Sequence, residues 1–166
     1  MWKRMLSLVF AFVMSLSALC FAEQIPLGTD EAAIGGVPLG ASMGYVRSIY
    51  GVPTGRTNGT DTFRNNVTIY NYGDSFYLYV YEDGDRSYVN ELLTTANNGL
   101  KTPKGVTVGM SEAEVFKIYG QIKPSRVSYK TREYVYLTDK GMHIELTTKE
   151  SKKVYYVSQI HMRFEG

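Results

Sequence analysis

The chain has 166 residues, with 18 Lys plus Arg against 16 Asp plus Glu, two His and a single Cys. One cysteine excludes an intrachain disulfide framework and a multi-cysteine metal centre. The sequence also holds no phosphate-binding loop, no dinucleotide fingerprint and no nucleic-acid motif, so no nucleic-acid partner and no cofactor are expected.

The chain opens with a targeting segment. Lys3 and Arg4 precede the apolar run Met5–Leu19, and Cys20-Phe21-Ala22 ends in a small residue suited to signal peptidase. Residues 1–22 are expected to be cleaved after Ala22, leaving a chain without cysteine, of zero net charge and with no stable membrane span. A retained anchor is the alternative, but the run is shorter than the ~20 residues that span a bilayer. Lipidation of Cys20 is another, but Leu19 occupies the place where lipoprotein signals carry a small residue. The expected location is the periplasm, the cell surface or the medium.

Residues 23–34 read as a leader, with one helical turn at Asp30–Ala33. A first structural repeat then spans residues 35–98. In it Ser42 is an N-cap, Val46, Ile49 and Tyr50 form a stripe at helical spacing, and Gly51-Val52-Pro53 ends the helix. Thr54–Thr62 is rich in Gly, Thr and Asn and reads as a loop, with Asn58-Gly59 as its turn. Val67–Tyr72, Ser75–Tyr81 and Ser87–Thr94 read as three strands, separated by turns at Gly73-Asp74 and Asp83-Gly84. Along Ser75–Tyr81 the residues alternate: Phe76, Leu78 and Val80 take one face, Tyr77, Tyr79 and Tyr81 the other.

Residues 99–104 read as a linker, and residues 105–166 as a second repeat. Gly105–Gly120 matches Gly36–Gly51 at eight of sixteen positions. Ser111 and Glu114 have the spacing of a capping box, Val115, Ile118 and Tyr119 form the stripe, and Gly120 ends the helix. Arg132–Leu137, Met142–Thr148 and Val154–Phe164 read as strands, with turns at Asp139-Lys140-Gly141 and Lys149–Lys153. In the last strand Tyr156, Ile160, Met162 and Phe164 are expected inside, with Tyr155, Gln159, His161 and Arg163 opposite. The predicted fold class is α+β: two tandem α-β-β-β repeats, each a short helix packed on an antiparallel meander. A helix of eight or nine residues is too short to stand alone in water, so it must bury its stripe on the strands. Whether the strands form one sheet or two is open at this point.

The run Gly109-Met110-Ser111 with Val115 and Gly120, together with Gly51-Val52-Pro53 in the first copy, resembles the small exported bacterial modules with the β-lactamase-inhibitor-protein-like fold. The SmpA/BamE-type outer-membrane assembly lipoproteins are similar. The resemblance covers most of residues 35–166 and implies a non-enzymatic binding module that works through a sheet face.

Several residues are candidates for chemistry. Tyr70, Tyr72, Tyr77, Tyr79 and Tyr81 gather in two neighbouring strands, with Tyr134, Tyr136 and Tyr155 at comparable places in the second repeat. Tyrosine pairs a large rigid apolar surface with a polar tip, which suits contact with a protein or a sugar. These eight are the candidate partner-binding residues. Buried packing is the competing account of them, since tyrosine favours strands. The expected partner is another exported or envelope protein, a cell-wall glycan is the alternative, and self-association is possible.

His143 and His161 share a facing parity with Glu145 nearby, an arrangement compatible with zinc or with a general base in a small hydrolase. Paired strand histidines are more often structural, so no metal is expected. Gly40-Ala41-Ser42-Met43-Gly44 spells the nucleophile-elbow pattern, but the long helix and large parallel sheet that it requires are missing, and capping explains Ser42. Glu82-Asp83-Gly84-Asp85 departs from calcium-loop spacing and reads as a hairpin turn. Residues 99–166 carry twelve basic against seven acidic groups, a surface that either is simply solvated or favours an anionic partner.

Overall fold

The computed structural model describes residues 25–84 and 86–165. The predicted targeting segment, residues 1–22, lies outside them. The chain enters through a 3-10 turn at Thr29–Glu31 and a two-stranded hairpin, β1 (Ala33–Ile34) and β2 (Val37–Pro38). Helix α1 (Met43–Tyr50) leads into β3 (Gly55–Thr60), β4 (Asn66–Tyr72), β5 (Phe76–Asp83) and β6 (Arg86–Thr94). Helix α2 (Glu112–Tyr119) leads into β7 (Arg126–Ser128), β8 (Thr131–Leu137), β9 (His143–Ser151) and β10 (Val154–Arg163). The class is therefore mixed α and β with mainly antiparallel strands, but each half carries four strands after its helix, not three.

All eight of those strands join one sheet in the order β3-β4-β5-β6-β10-β9-β8-β7. The halves meet at its centre, where β6 and β10 pair antiparallel with Leu92 opposite Met162 and Glu91 opposite Arg163. The extra strands lie at the two edges. Sequence alternation missed them because edge strands bury little: β7 is exposed throughout, and β3 is polar and mostly exposed. Asn58-Gly59 is thus paired strand, not a turn. Gly59 fits there because Ile69 lies over it. A Cβ would stand 2.6 Å from Ile69 Cδ1.

Both helices start as expected. Ser42 Oγ accepts from Tyr45 N at 3.2 Å. Ser111 and Glu114 form the full capping box, with Glu114 Oε2 accepting from Ser111 N at 2.9 Å. Both helices lie on the face of the sheet that carries Leu78, Leu92, Ile144, Leu146, Ile160 and Met162, and one contiguous core results. Val46, Val115 and Tyr119 are buried in it, with Met43 beside them. Ile49 is 44% exposed, so the first stripe runs through Met43, Val46 and Tyr50 instead.

The leader is not a loose arm. Leu27 is buried and bonds to β8's end: its N–H donates to Leu137 O at 2.8 Å, and its carbonyl accepts from Asp139 N at 2.7 Å. Glu31 is 1% exposed and ties the leader to the second half. It accepts from Lys104 N at 3.1 Å and from the Tyr119 hydroxyl.

Two bulges alter the expected facing. One falls in β6 between Glu91 and Val89, the other in β10 between Val157 and Gln159. The extra residue in β10 reverses the parity below it. Tyr156 is consequently 39% exposed rather than inside. Tyr155 turns to the helix side, where the Arg132 guanidinium stacks 3.8 Å from its ring centre.

Candidate functional site

The sheet has one face covered by helices and one face left open, and the eight candidate tyrosines divide between them. Tyr70, Tyr72, Tyr134, Tyr136 and Tyr155 lie on the covered side. Register explains this: Tyr70 opposes Leu78, Tyr72 opposes Phe76, Tyr134 opposes Leu146 and Tyr136 opposes Ile144, all core residues. Their rings hold the helices down. Tyr136 donates to Gly120 O at 2.9 Å and packs on Tyr119, Phe116 meets Tyr134 edge-on at 5.4 Å, and Tyr72 packs against Tyr50. A single eight-tyrosine face therefore does not form.

Tyr77, Tyr79 and Tyr81 do share the open face, half-buried on β5. Leu93 opposes Tyr77, Glu91 opposes Tyr79 and Tyr88 opposes Tyr81. Tyr81 and Tyr88 pack with ring centres 5.5 Å apart. Burial raises the Tyr79 hydroxyl above the ordinary tyrosine range, with the Glu91 charge adding to it, so the ring is neutral near pH 7.

The predicted His143–Glu145–His161 group also forms on this face, at the seam between the halves. His161 stands between two carboxylates: Nε2 is 3.0 Å from Glu91 Oε2, and Nδ1 is 3.2 Å from Glu145 Oε2. Arg163 completes the group. Its Nε donates to Glu145 Oε1 at 2.8 Å and its Nη2 to His143 Nδ1 at 2.9 Å. Burial favours a neutral His161 ring, but the hydrogen bonds and charges of Glu145 and Glu91 outweigh it and raise the pKa to about 9. The His161 hydrogen bond, opposed by burial and aided by the Arg163 charge, lowers Glu145 to about 2. Burial would raise Glu91, yet its bonds to His161 and Thr62 bring it below the ordinary carboxylate value. Burial and the Arg163 charge hold His143 below the ordinary histidine value.

At neutral pH this is an imidazolium and a guanidinium set against two carboxylates, with balanced charge. Both His161 nitrogens carry protons donated to Glu91 and Glu145, so neither has a lone pair for a metal or for proton abstraction. No group of three or more metal-ligating side chains occurs among the described residues. Sequence reading placed Arg163 on the His161 face without assigning it to the group, and missed Glu91 because that residue comes from the other half of the chain. Only the β6–β10 pairing brings it there.

The loop between β3 and β4 folds onto the same face. Thr62 N donates to Glu91 Oε1 at 2.8 Å, and the Arg163 guanidinium lies 5.2 Å from the Phe63 ring centre. Beneath it Thr60, Thr62, Tyr79, Leu93, Gln159 and His161 line a hollow of about 270 Å³. The other motifs have structural roles. Ser42 is a helix cap. Glu82 accepts from Thr68 Oγ1 at 2.7 Å and Tyr70 Oη at 2.8 Å, so it is a sheet residue and not part of a calcium loop. Among the described residues no helix is long and apolar enough to cross a membrane.

No family model, curated protein or solved structure matches this chain.

Proposed function

We propose that this chain is an exported, non-enzymatic binding module of two tandem helix-plus-meander repeats, which contacts a protein partner through the open face of its sheet. Kinship with the exported β-lactamase-inhibitor-protein-like and SmpA/BamE-like modules is part of the proposal. Tyr77, Tyr79 and Tyr81 are its aromatic anchors, and the His161 cluster is the rigid, charge-balanced floor beside them.

One observation carries the reading. Helices cover one face of an eight-stranded sheet, and the opposite face presents half-buried tyrosines around a charge-paired centre. Contact surfaces favour this combination: large rings that lose little rotamer freedom, next to charges already desolvated and paired. The balanced cluster also avoids leaving an unpaired ion under a partner.

The test is affinity capture from envelope and secreted fractions of the source cell, with residues 23–166 as bait. Three baits are compared: wild type, Tyr77→Ser/Tyr79→Ser, and Ile49→Ser/Val52→Ser at the end of helix α1 and just after it, each shown to be folded by circular dichroism. The proposal expects one protein retained by the first and third baits and lost from the second. Equal retention by all three contradicts it.

A further inference from the structure

Next to the tyrosines, where the β3–β4 loop meets the ends of β6 and β10, the open face contains a second hollow, of about 580 Å³. Phe63, Tyr88 and Phe164 wall it, and Tyr88 meets Phe164 edge-on with ring centres 6.4 Å apart. The loop is held by one buried carboxylate, Asp61, which is 6% exposed. Asp61 Oδ1 accepts from Phe63 N at 2.9 Å and Asn65 N at 2.8 Å. Asp61 Oδ2 accepts from Asn65 Nδ2 at 2.9 Å and Asn90 Nδ2 at 2.8 Å.

That arrangement decides the chemistry of the hollow. Both carboxamides must turn their N–H groups to Asp61, because the reverse orientation sets oxygen against oxygen. Their carbonyl oxygens are then left without a hydrogen-bond partner among the described residues. Glu165, also in the lining, adds an exposed carboxylate. The lining therefore offers acceptors and aromatic faces, with the Tyr88 hydroxyl and the second N–H of Asn65 and of Asn90 as its side-chain donors. Arg163, whose guanidinium lies 5.2 Å from the Phe63 ring centre, is paired with Glu145. The exposed Glu165 carboxylate repels an anion. A donor-only cation satisfies both the acceptors and the rings.

We propose that this hollow is a socket for a cation bearing N–H donors, a guanidinium or ammonium group of the kind carried by Arg and Lys side chains. The proposal deepens the reading of the open face as a contact surface and rests on it, in that the socket would seat a basic side chain of the partner.

The test needs no partner. The isotope-labelled chain is titrated with N-acetyl-arginine amide and with N-acetyl-lysine amide, and followed by NMR. Saturable shifts are expected at Phe63, Asn65, Tyr88 and Asn90, with dissociation constants in roughly the millimolar range for so small a ligand. The citrulline analogue, neutral and nearly isosteric with arginine, is expected to bind about tenfold more weakly. Tetramethylammonium, a cation without N–H groups, is also expected to bind more weakly. Glu165→Gln, at an exposed position, is expected to lose about fivefold in affinity with the fold unchanged. Citrulline or tetramethylammonium binding as well as arginine overturns the proposal, as does the absence of saturable shifts at these residues. Capture through Tyr77 and Tyr79 without arginine binding overturns the socket alone. Arginine binding without any partner on the tyrosine face supports the socket and counts against the wider reading.

Discussion

His161 Nε2 lies 3.0 Å from Glu91 Oε2, and this contact ties the two halves of the chain together across the centre of the sheet. The other ring nitrogen reaches Glu145 at 3.2 Å. Glu91 is only 2% exposed, so the imidazolium is what makes its burial tolerable. His161→Ala is expected to cost about 3 kcal/mol or more, because it leaves a buried carboxylate without its cation. Urea denaturation of both proteins measures this, and a loss below about 1 kcal/mol contradicts it.

The same cluster sets a pH window. His161 has a folded pKa of about 9 against an ordinary 6.5, so its contribution is complete below pH 6.5 and is lost as pH rises through 9. Glu145, at about 2 against 4.5, contributes fully above pH 4.5 and loses that contribution as pH falls toward 2. Together they predict greatest support between about pH 4.5 and 6.5. Melting temperature across pH, for wild type and for His161→Gln, tests it. The variant is expected to lose the decline between pH 6.5 and 9. A His161 NMR titration midpoint near 6.5 contradicts the account.

Tyr136 and Tyr77 separate the two roles of tyrosine in this chain. Tyr136 is fully buried and bonded to Gly120, so Tyr136→Ala is expected to cost about 4 kcal/mol. Tyr77→Ser removes a half-exposed ring and is expected to cost about 1 kcal/mol. Chemical denaturation should rank them in that order. Equal costs mean that the open-face rings are packed as core.

The two capping serines differ in how fully they are engaged. Ser111 sits in a reciprocal box with Glu114, and Ser42 has a single bond to Tyr45. Ser111→Ala is expected to cost about 1 kcal/mol and Ser42→Ala less. Thermal melts of the two variants decide the ranking.

Lys152 and Lys153 form the two-residue turn of the β9–β10 hairpin, both in the left-handed region at φ 49° and 66°. Two-residue hairpin turns of this hand favour Asn-Gly. Lys152→Asn/Lys153→Gly is expected to stabilise the protein by about 1 kcal/mol. A lower melting temperature contradicts the turn assignment.

What the sequence makes legible follows from periodicity. Capped helices with Ser111 and Glu114 and the alternating run Phe76–Tyr81 are local signals, and both form as read. The edge strands are invisible to that logic because Gly55–Thr60 and Arg126–Ser128 bury almost nothing. The tyrosines mislead for a related reason. Tyr70 and Tyr136 align with core residues only through cross-strand register, which no single strand encodes. Bulges such as that beside Ser158 shift parity without any sequence mark. His143, Glu145, His161 and Arg163 are readable as neighbours from hairpin parity, whereas Glu91 and the Asp61 loop require the whole sheet.

The most direct test of the open-face account is residue-level footprinting of the chain with and without its captured partner, using hydroxyl radicals. Tyr77, Tyr79 and Tyr81 are expected to be labelled in the free chain and protected in the complex, while exposed Ile49 and Val52 on the helix side keep their labelling. Protection at Ile49 and Val52, with Tyr77 and Tyr79 unchanged, places the contact on the helix side and contradicts the account.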